Sequence, residues 1–214
     1  MTAIPSSWPT VSETMDVSSS QDGVCMVTCH AVSITNSHAG THADTPFHFM
    51  QDPPFESFLD EQYSGNVIVL NLHSFLKDSK AITPEMLQAA AHECCIELAQ
   101  IRRLILRTYI KPPAAWEDCF AYLTPAAATY LASLPLLVMV GTDAPSIDHP
   151  HAAPIHIHAH GELYKQRIAI LEGLDCSTLP DALCTQGVLQ TIWMPMQQFK
   201  DARGCVCLFY PQRQ

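Results

Sequence analysis

Four potential metal donors crowd one short stretch: residues 38–49 read HAGTHADTPFHF, with His38, His42, Asp44 and His48 all at even positions. Side chains of an extended chain alternate between faces, so a period of two gathers these four on one side. A helix would also bring His38 and His42 together, but Gly40 inside the stretch and Pro46 after it argue against one. Gly40 takes the intervening position on the donor face and adds no side chain, which leaves room for an ion or substrate to approach the backbone. Beyond Pro46 the chain must bend, so His48 is not tied to the ligand set and is suited to acid/base work beside a metal. Two imidazoles and a carboxylate suit Zn2+ or Mn2+ by ligand hardness, and three protein donors with an open position describe a catalytic centre better than a closed structural one.

The flanking sequence supplies the elements to carry such a stretch. Residues 24–34 alternate apolar and small polar side chains and read as a strand leading into it, whereas the first 25 residues, rich in Ser, Thr and Pro, read as an irregular, strand-poor arm. Residues 67–72, 103–109, 136–140 and 168–171 are buried-strand runs. Between them, Thr83-Pro84 and Thr124-Pro125 each pair a capping Thr with Pro at the first helical position, and a third helix is expected around 158–166. From Gly187 a last β segment is expected to break at Pro195. This order predicts a single α/β or α+β domain with a mixed sheet, and 214 residues are enough for one substantial core.

Charge narrows the partners. With 11 Lys and Arg against 21 Asp and Glu the net charge is -10, and no basic run occurs, which disfavours nucleic acid and anionic membrane surfaces and favours a small-molecule substrate. No apolar run approaches the roughly 20 residues of a membrane span. Nine cysteines, an odd number, with no signal peptide at the start, are expected to be reduced thiols of a cytoplasmic protein, packed in the structure rather than holding zinc. No G-x-S-x-G elbow is present, so a serine hydrolase is disfavoured, and Cys29-His30 are strand neighbours that point to opposite faces.

Further donors must come from elsewhere. The candidates are His149, His151, His156, His158 and His160, together with Glu172, which closes a run of apolar residues. A carboxylate at the end of a buried strand needs a partner, because an unpaired buried charge is costly. His149, His151 and His156 read as ordinary surface residues, and spacing alone does not separate His158 from His160.

The stretch 38–49 resembles the HxGTHxDxPxHF signature of the cyclase-like metal-dependent hydrolases, a family that includes bacterial-type kynurenine formamidases. The resemblance extends through LILRTYI (104–110), residues 123–150 and HGELYKQRIAILEGLD (160–175), with GTDAPSIDHP (141–150) and AILEGLD (169–175) closest to the formamidase branch. It implies a swivelling β/β/α fold, a homodimer and two divalent ions, Zn2+ or Mn2+. His38, His42 and Asp44 would hold the first ion; Asp44 would bridge to a second held by His160 and Glu172, with Glu172 placed to touch both. His48 would be the proton donor and acceptor, and Trp8 the aromatic contact for substrate. Two departures bear on the substrate: Pro9-Thr10-Val11 replaces a common Pro-Gly-Asp, and residues 204–208 lack a Pro and an Arg. The expected reaction is hydrolysis of an arylformamide, N-formyl-L-kynurenine foremost. The alternatives are ring opening of a cyclic amide such as isatin with one Mn2+, and a metal-binding domain without chemistry.

Overall fold

Thr83 and Thr124 do what their sequence context requires. Each hydroxyl accepts the backbone N–H three residues on, Met86 and Ala127 respectively, and each is followed by Pro, so helix α1 (Pro84–Glu93) and helix α2 (Pro125–Ala132) begin where the sequence predicts. Leu87, Ala90 and Ala91 of α1 and Ala127, Ala128 and Leu131 of α2 are buried. A third helix, α3, spans His158–Lys165. The computed structural model describes residues 11–19, 26–34, 37–77, 79–111, 119–149, 158–198 and 200–212.

The strands are β1 (Val11–Ser19), β2 (Met26–Ile34), β3 (His42–Asp44), β4 (Gly65–Asn71), β5 (Ala81–Ile82), β6 (Arg103–Arg107), β7 (Tyr122–Leu123), β8 (Met139–Thr142), β9 (Ala169–Glu172), β10 (Cys184–Gln198) and β11 (Ala202–Pro211). Seven of them close a barrel in the order β10-β11-β3-β9-β8-β6-β4. The β4-β6-β8-β9 half is parallel, and its three crossovers contain α1, α2 and α3 in turn. The other half, β9-β3-β11-β10-β4, is antiparallel. The single α/β domain with a mixed sheet is therefore present, with the sheet closed on itself. Parallel strands need both faces covered, which is why β6, β8 and β9 are buried at every position.

Three local expectations are corrected. Residues 11–19 are not irregular but pair with β2 from Val11↔Ile34 to Ser19↔Met26, because the spacing of Val11, Met15 and Val17 outweighs the Ser and Thr between them. The last β segment does not stop at Pro195; β10 runs through it, and only the pairing lapses, between Trp193 and Gln198, as a residue without an N–H demands. The donor stretch is not one extended run: only His42–Asp44 is strand, His38 lies in a turn, and Pro46–His48 form a single 3-10 turn.

Gly40 and Gly173 make that turn feasible. Gly40 has φ +67, and a β-carbon there would meet nothing within 4 Å, so backbone conformation rather than space demands glycine. At Gly173, φ +65, a β-carbon would stand 2.6 Å from the Gly40 carbonyl oxygen. The two loops thus touch backbone to backbone, and Thr41 Oγ1 donates to the Gly173 carbonyl at 2.8 Å. Gly40→Ala is expected to cost about 1–2 kcal/mol from the left-handed backbone alone. Gly173→Ala should cost clearly more, since the clash adds to the strain; urea unfolding of the two variants side by side checks the ranking.

Candidate metal centre

Closure of the barrel is what assembles the donors. The three-residue strand β3 sits between β9 and β11, so His42 lies opposite Glu172 on one side and Gly204 on the other, and Asp44 lies opposite Ala202. His38 reaches back from the preceding turn, and His160 comes from α3. The structure brings together His38, His42, Asp44, His160 and Glu172, with His48 beside them. Trp8 lies outside the described residues, as do His151 and His156; His149 is exposed and meets Tyr122 edge to face.

Each carboxylate faces two ways. Asp44 Oδ1 stands 3.1 Å from His38 Nδ1 and 3.3 Å from His42 Nε2, while Oδ2 stands 2.8 Å from His160 Nε2. Glu172 Oε2 is 3.6 Å from His42 Nε2, and Oε1 is 3.3 Å from His160 Nε2. His38 Nδ1 and His42 Nε2 are 2.9 Å apart. In a tetrahedron with metal bonds of about 2.0–2.1 Å, neighbouring ligand atoms are separated by about 3.3 Å, so these distances suit edges of a coordination shell. Asp44 Oδ1 is buried and accepts no hydrogen bond among the described residues despite those two nitrogens. A lone pair left in that state is costly in a protein interior, and a cation removes the cost. The donor set fits a divalent ion.

His42, Asp44, His160 and Glu172 are at most 3% exposed. Without a metal, protons take the place of cations. Burial opposes a charge on His42, but Asp44 and Glu172 outweigh it and push its pKa up to about 10. His160 is likewise held well above the usual imidazole range, against burial, by Asp148, Asp44 and Glu172. Asp44 and Glu172 stay ionised: burial raises both, and the imidazoles around them win. His48 behaves differently. Its ring packs on His38 at 4.1 Å and Phe49 at 4.4 Å between centroids, and desolvation, reinforced by His38 and His160, pushes its pKa down to about 4 against the pull of Asp44. The sequence suggested an imidazole near neutrality; the site keeps it unprotonated at pH 7. His48 also lies within donor range of His38 and Asp44, closer to the ligand set than the bend at Pro46 implied.

Sequence reasoning missed Asp148. Its carboxylate accepts from His160 Nδ1 at 2.6 Å and from the backbone N–H groups of Ala159 and His160, so it both caps α3 and fixes the ring of His160. With Nδ1 committed, Nε2 is left to face Asp44 and Glu172. Position 148 falls inside the 141–150 segment, and the signal that could have found it is a carboxylate on a loop facing a helix N-terminus that carries a histidine. The other anchors are backbone groups: the Gly40 carbonyl accepts from His42 Nδ1 at 2.9 Å, and the Ile147 N–H donates to Glu172 Oε1 at 2.8 Å. Ser146 Oγ accepts from the Asp148 N–H, a turn contact rather than the setting of a nucleophile. Phe49 stacks on His160 at 3.9 Å.

Two outcomes follow from this geometry. Asp148→Asn should weaken metal binding by about 10–100-fold with the fold retained, measured by competition with a chelator. Metal uptake at pH 7 should release about two protons, from His42 and His160, so affinity falls as pH falls; a pH indicator in weak buffer reads the release.

Residues 4–149 match the family model described as putative cyclase, a span that contains His38, His42, Asp44 and His48. Among solved structures, a potential metal-dependent hydrolase with cyclase activity is 19% identical, with a TM-score of 0.65 over 97% of this chain and 98% of that one. An isatin hydrolase bound to the product analogue thioisatinate is 18% identical, with a TM-score of 0.67 over 96% and 83%. Isatin hydrolase A from Labrenzia aggregata, bound to benzyl benzoate, is 21% identical, with a TM-score of 0.63 over 92% and 84%. These likenesses establish the fold. Among the described residues no helix is long and apolar enough to cross a membrane.

Proposed function

The chain belongs to the putative cyclase family, and from that premise we propose that it is a metal-dependent amide hydrolase acting on an arylformamide, with N-formyl-L-kynurenine as the first substrate to test. The observation that carries hydrolysis is the pair of two-faced carboxylates. Asp44 and Glu172 each offer one oxygen toward His42 and the other toward His160, with His38 completing the first side. In this reading His38, His42 and Asp44 would hold one divalent ion and Asp44, His160 and Glu172 a second, Zn2+ or Mn2+. When bound, such ions supply Lewis acidity toward the carbonyl and lower the pKa of a water.

The chain's own residues do the rest. Water adds to the formyl carbon, the C–N bond breaks, and formate and an aryl amine leave. An amide nitrogen departs readily only when it is protonated as it goes, so one group must take a proton from the water and return it to the nitrogen. His48 is unprotonated at pH 7 and stands beside the donor set, which suits it to accept first and donate second. Asp148 holds His160, Gly40 holds His42, and all four inner donors are buried, so their rings and carboxylates are fixed by the protein around them.

The aryl part of the substrate rests on the resemblance of residues 141–150 and 169–175 to the formamidase branch. Isatin is the second candidate, favoured by the fold shared with isatin hydrolases; its ring-opening breaks the same kind of bond. A purely metal-holding protein would have no need of an acid/base, so the two readings part on whether His48 carries turnover or only adds a donor beside His38 and Asp44.

His48→Ala should keep its metal and lose nearly all turnover; unchanged turnover would remove His48 from the mechanism. Elemental analysis should find about two ions per chain. A single ion, with Glu172→Ala unaltered in both metal content and rate, would sink the binuclear arrangement. Assays of the metal-loaded protein on N-formylkynurenine, isatin and simple formanilides rank the substrates.

A further inference from the structure

Next to the strand pairing that holds His42, β11 carries a second cluster of metal-binding atoms. Cys205 and Cys207 are two apart on a strand, and their sulfurs stand 4.0 Å from each other. Thr191, opposite Cys207 on β10, places its Oγ1 3.6 Å from Cys207 Sγ while donating to the Tyr63 carbonyl at 2.7 Å. Cys205 is buried and Cys207 half-buried. The seven cysteines whose side chains are described are all free thiols, and none is needed for the chemistry above.

A disulfide is a poor use of this pair. Residues i and i+2 of a strand have α-carbons about 6.6–6.8 Å apart, at the far limit of disulfide geometry, and their side chains run parallel rather than toward each other. A shared ion needs no such approach. With metal–sulfur bonds of about 2.3 Å, a tetrahedral ion holds two sulfurs about 3.8 Å apart, and an ion with longer bonds holds them farther. The observed separation already lies in that range.

We propose that Cys205 and Cys207, with Thr191 Oγ1 as a third donor, form a dithiolate site for a soft divalent ion, distinct from the His/Asp/Glu centre. Thiolates prefer soft ions, whereas imidazole and carboxylate donors suit harder ones, so the two sites select differently. Binding exchanges two S–H protons, released to solvent, for two metal–sulfur bonds, and no electron changes hands. The contact between the two sulfurs makes them unequal: with burial it holds the Cys205 thiol above its usual range and it draws the Cys207 thiol below, so Cys207 meets the ion first as the readier thiolate and the ion must then displace the Cys205 proton. An ion there would sit on the strand whose Cys205 N–H donates to the Thr41 carbonyl and whose Gly204 faces His42, one residue from the main centre.

The probe is Cd2+, titrated into the full chain and followed by the ultraviolet sulfur-to-cadmium charge-transfer band, which the His/Asp/Glu centre cannot produce. The band should appear with one Cd2+ per chain, vanish in Cys207→Ser and in Cys205→Ala, and persist when Cys94 and Cys184 are both changed to Ser. In the unmodified chain, saturating Cd2+ should protect Cys207 from alkylation by iodoacetamide, read by peptide mass spectrometry; this arm decides the matter if either cysteine variant fails to fold. Absence of the band, its persistence in both single variants, its loss with the Cys94 and Cys184 changes, or unprotected Cys207 would each overturn the proposal. None of these outcomes depends on whether the chain hydrolyses formamides.

Discussion

Burying the Asp44 carboxylate is the constraint on which the rest of the molecule depends. A charge that deep is tolerable only if opposite charge stands beside it, and the fold supplies it on both sides: protonated His42 at one oxygen and protonated His160 at the other, with the His38 ring 3.1 Å from the first. To do so it must bring a turn, a strand and a helix to one point. The barrel achieves this by inserting β3, only three residues long, between β9 and β11. The strand that closes the sheet is the strand that carries the ligands, so the centre and the closure of the barrel are a single feature. Neighbouring contacts reinforce it: Thr45 Oγ1 donates to the Lys200 carbonyl, and Tyr164 donates to the Thr45 carbonyl.

The two sides of the centre are built differently. The His160 side is sealed, with Asp148 and Phe49 against the ring. The His38 side is open: His38 is half-buried, His48 packs its ring on His38 and Phe49 while another part of it reaches solvent, and the carboxylate near His38 Nε2 is Asp201, on the connection between β10 and β11 and partly in water. The centre is therefore nearest to solvent on the His38 side, where His48, with its lowered pKa, also lies. Electrostatics and access agree on where a proton would be handled.

Much of this was legible in the sequence, because its signals are local. A capping Thr before Pro sets a helix start through one hydrogen bond, and a run such as Leu104–Leu106 declares a strand buried on both faces. The carboxylate at the end of β9 was expected to need partners, and it has two imidazoles and a backbone N–H. What sequence reading missed depends on the third dimension. A period of two placed His38 and His42 on one face of an extended chain; they do converge, but through a left-handed turn at Gly40, a conformation that alternation does not report. Asp148 was overlooked because its partner is twelve positions away and its role is to orient rather than to bind. The depressed pKa of His48 comes first from desolvation among the rings that fold against it and then from His38 and His160, which no linear spacing contains.

The protonation pattern also explains how one chain holds so many buried acids and imidazoles before any metal arrives. Protonated His42 and His160 face ionised Asp44, Glu172 and Asp148, so imidazolium charge already offsets most of the carboxylate charge in the metal-free core. Exchanging those protons for metal cations would keep positive charge beside the carboxylates and free imidazole lone pairs at distances they already occupy. The barrel itself therefore orders the donors, which already stand at the spacing of a coordination shell. Folding and metal capture are in this sense consecutive uses of one electrostatic arrangement, with Asp44 at its middle in both.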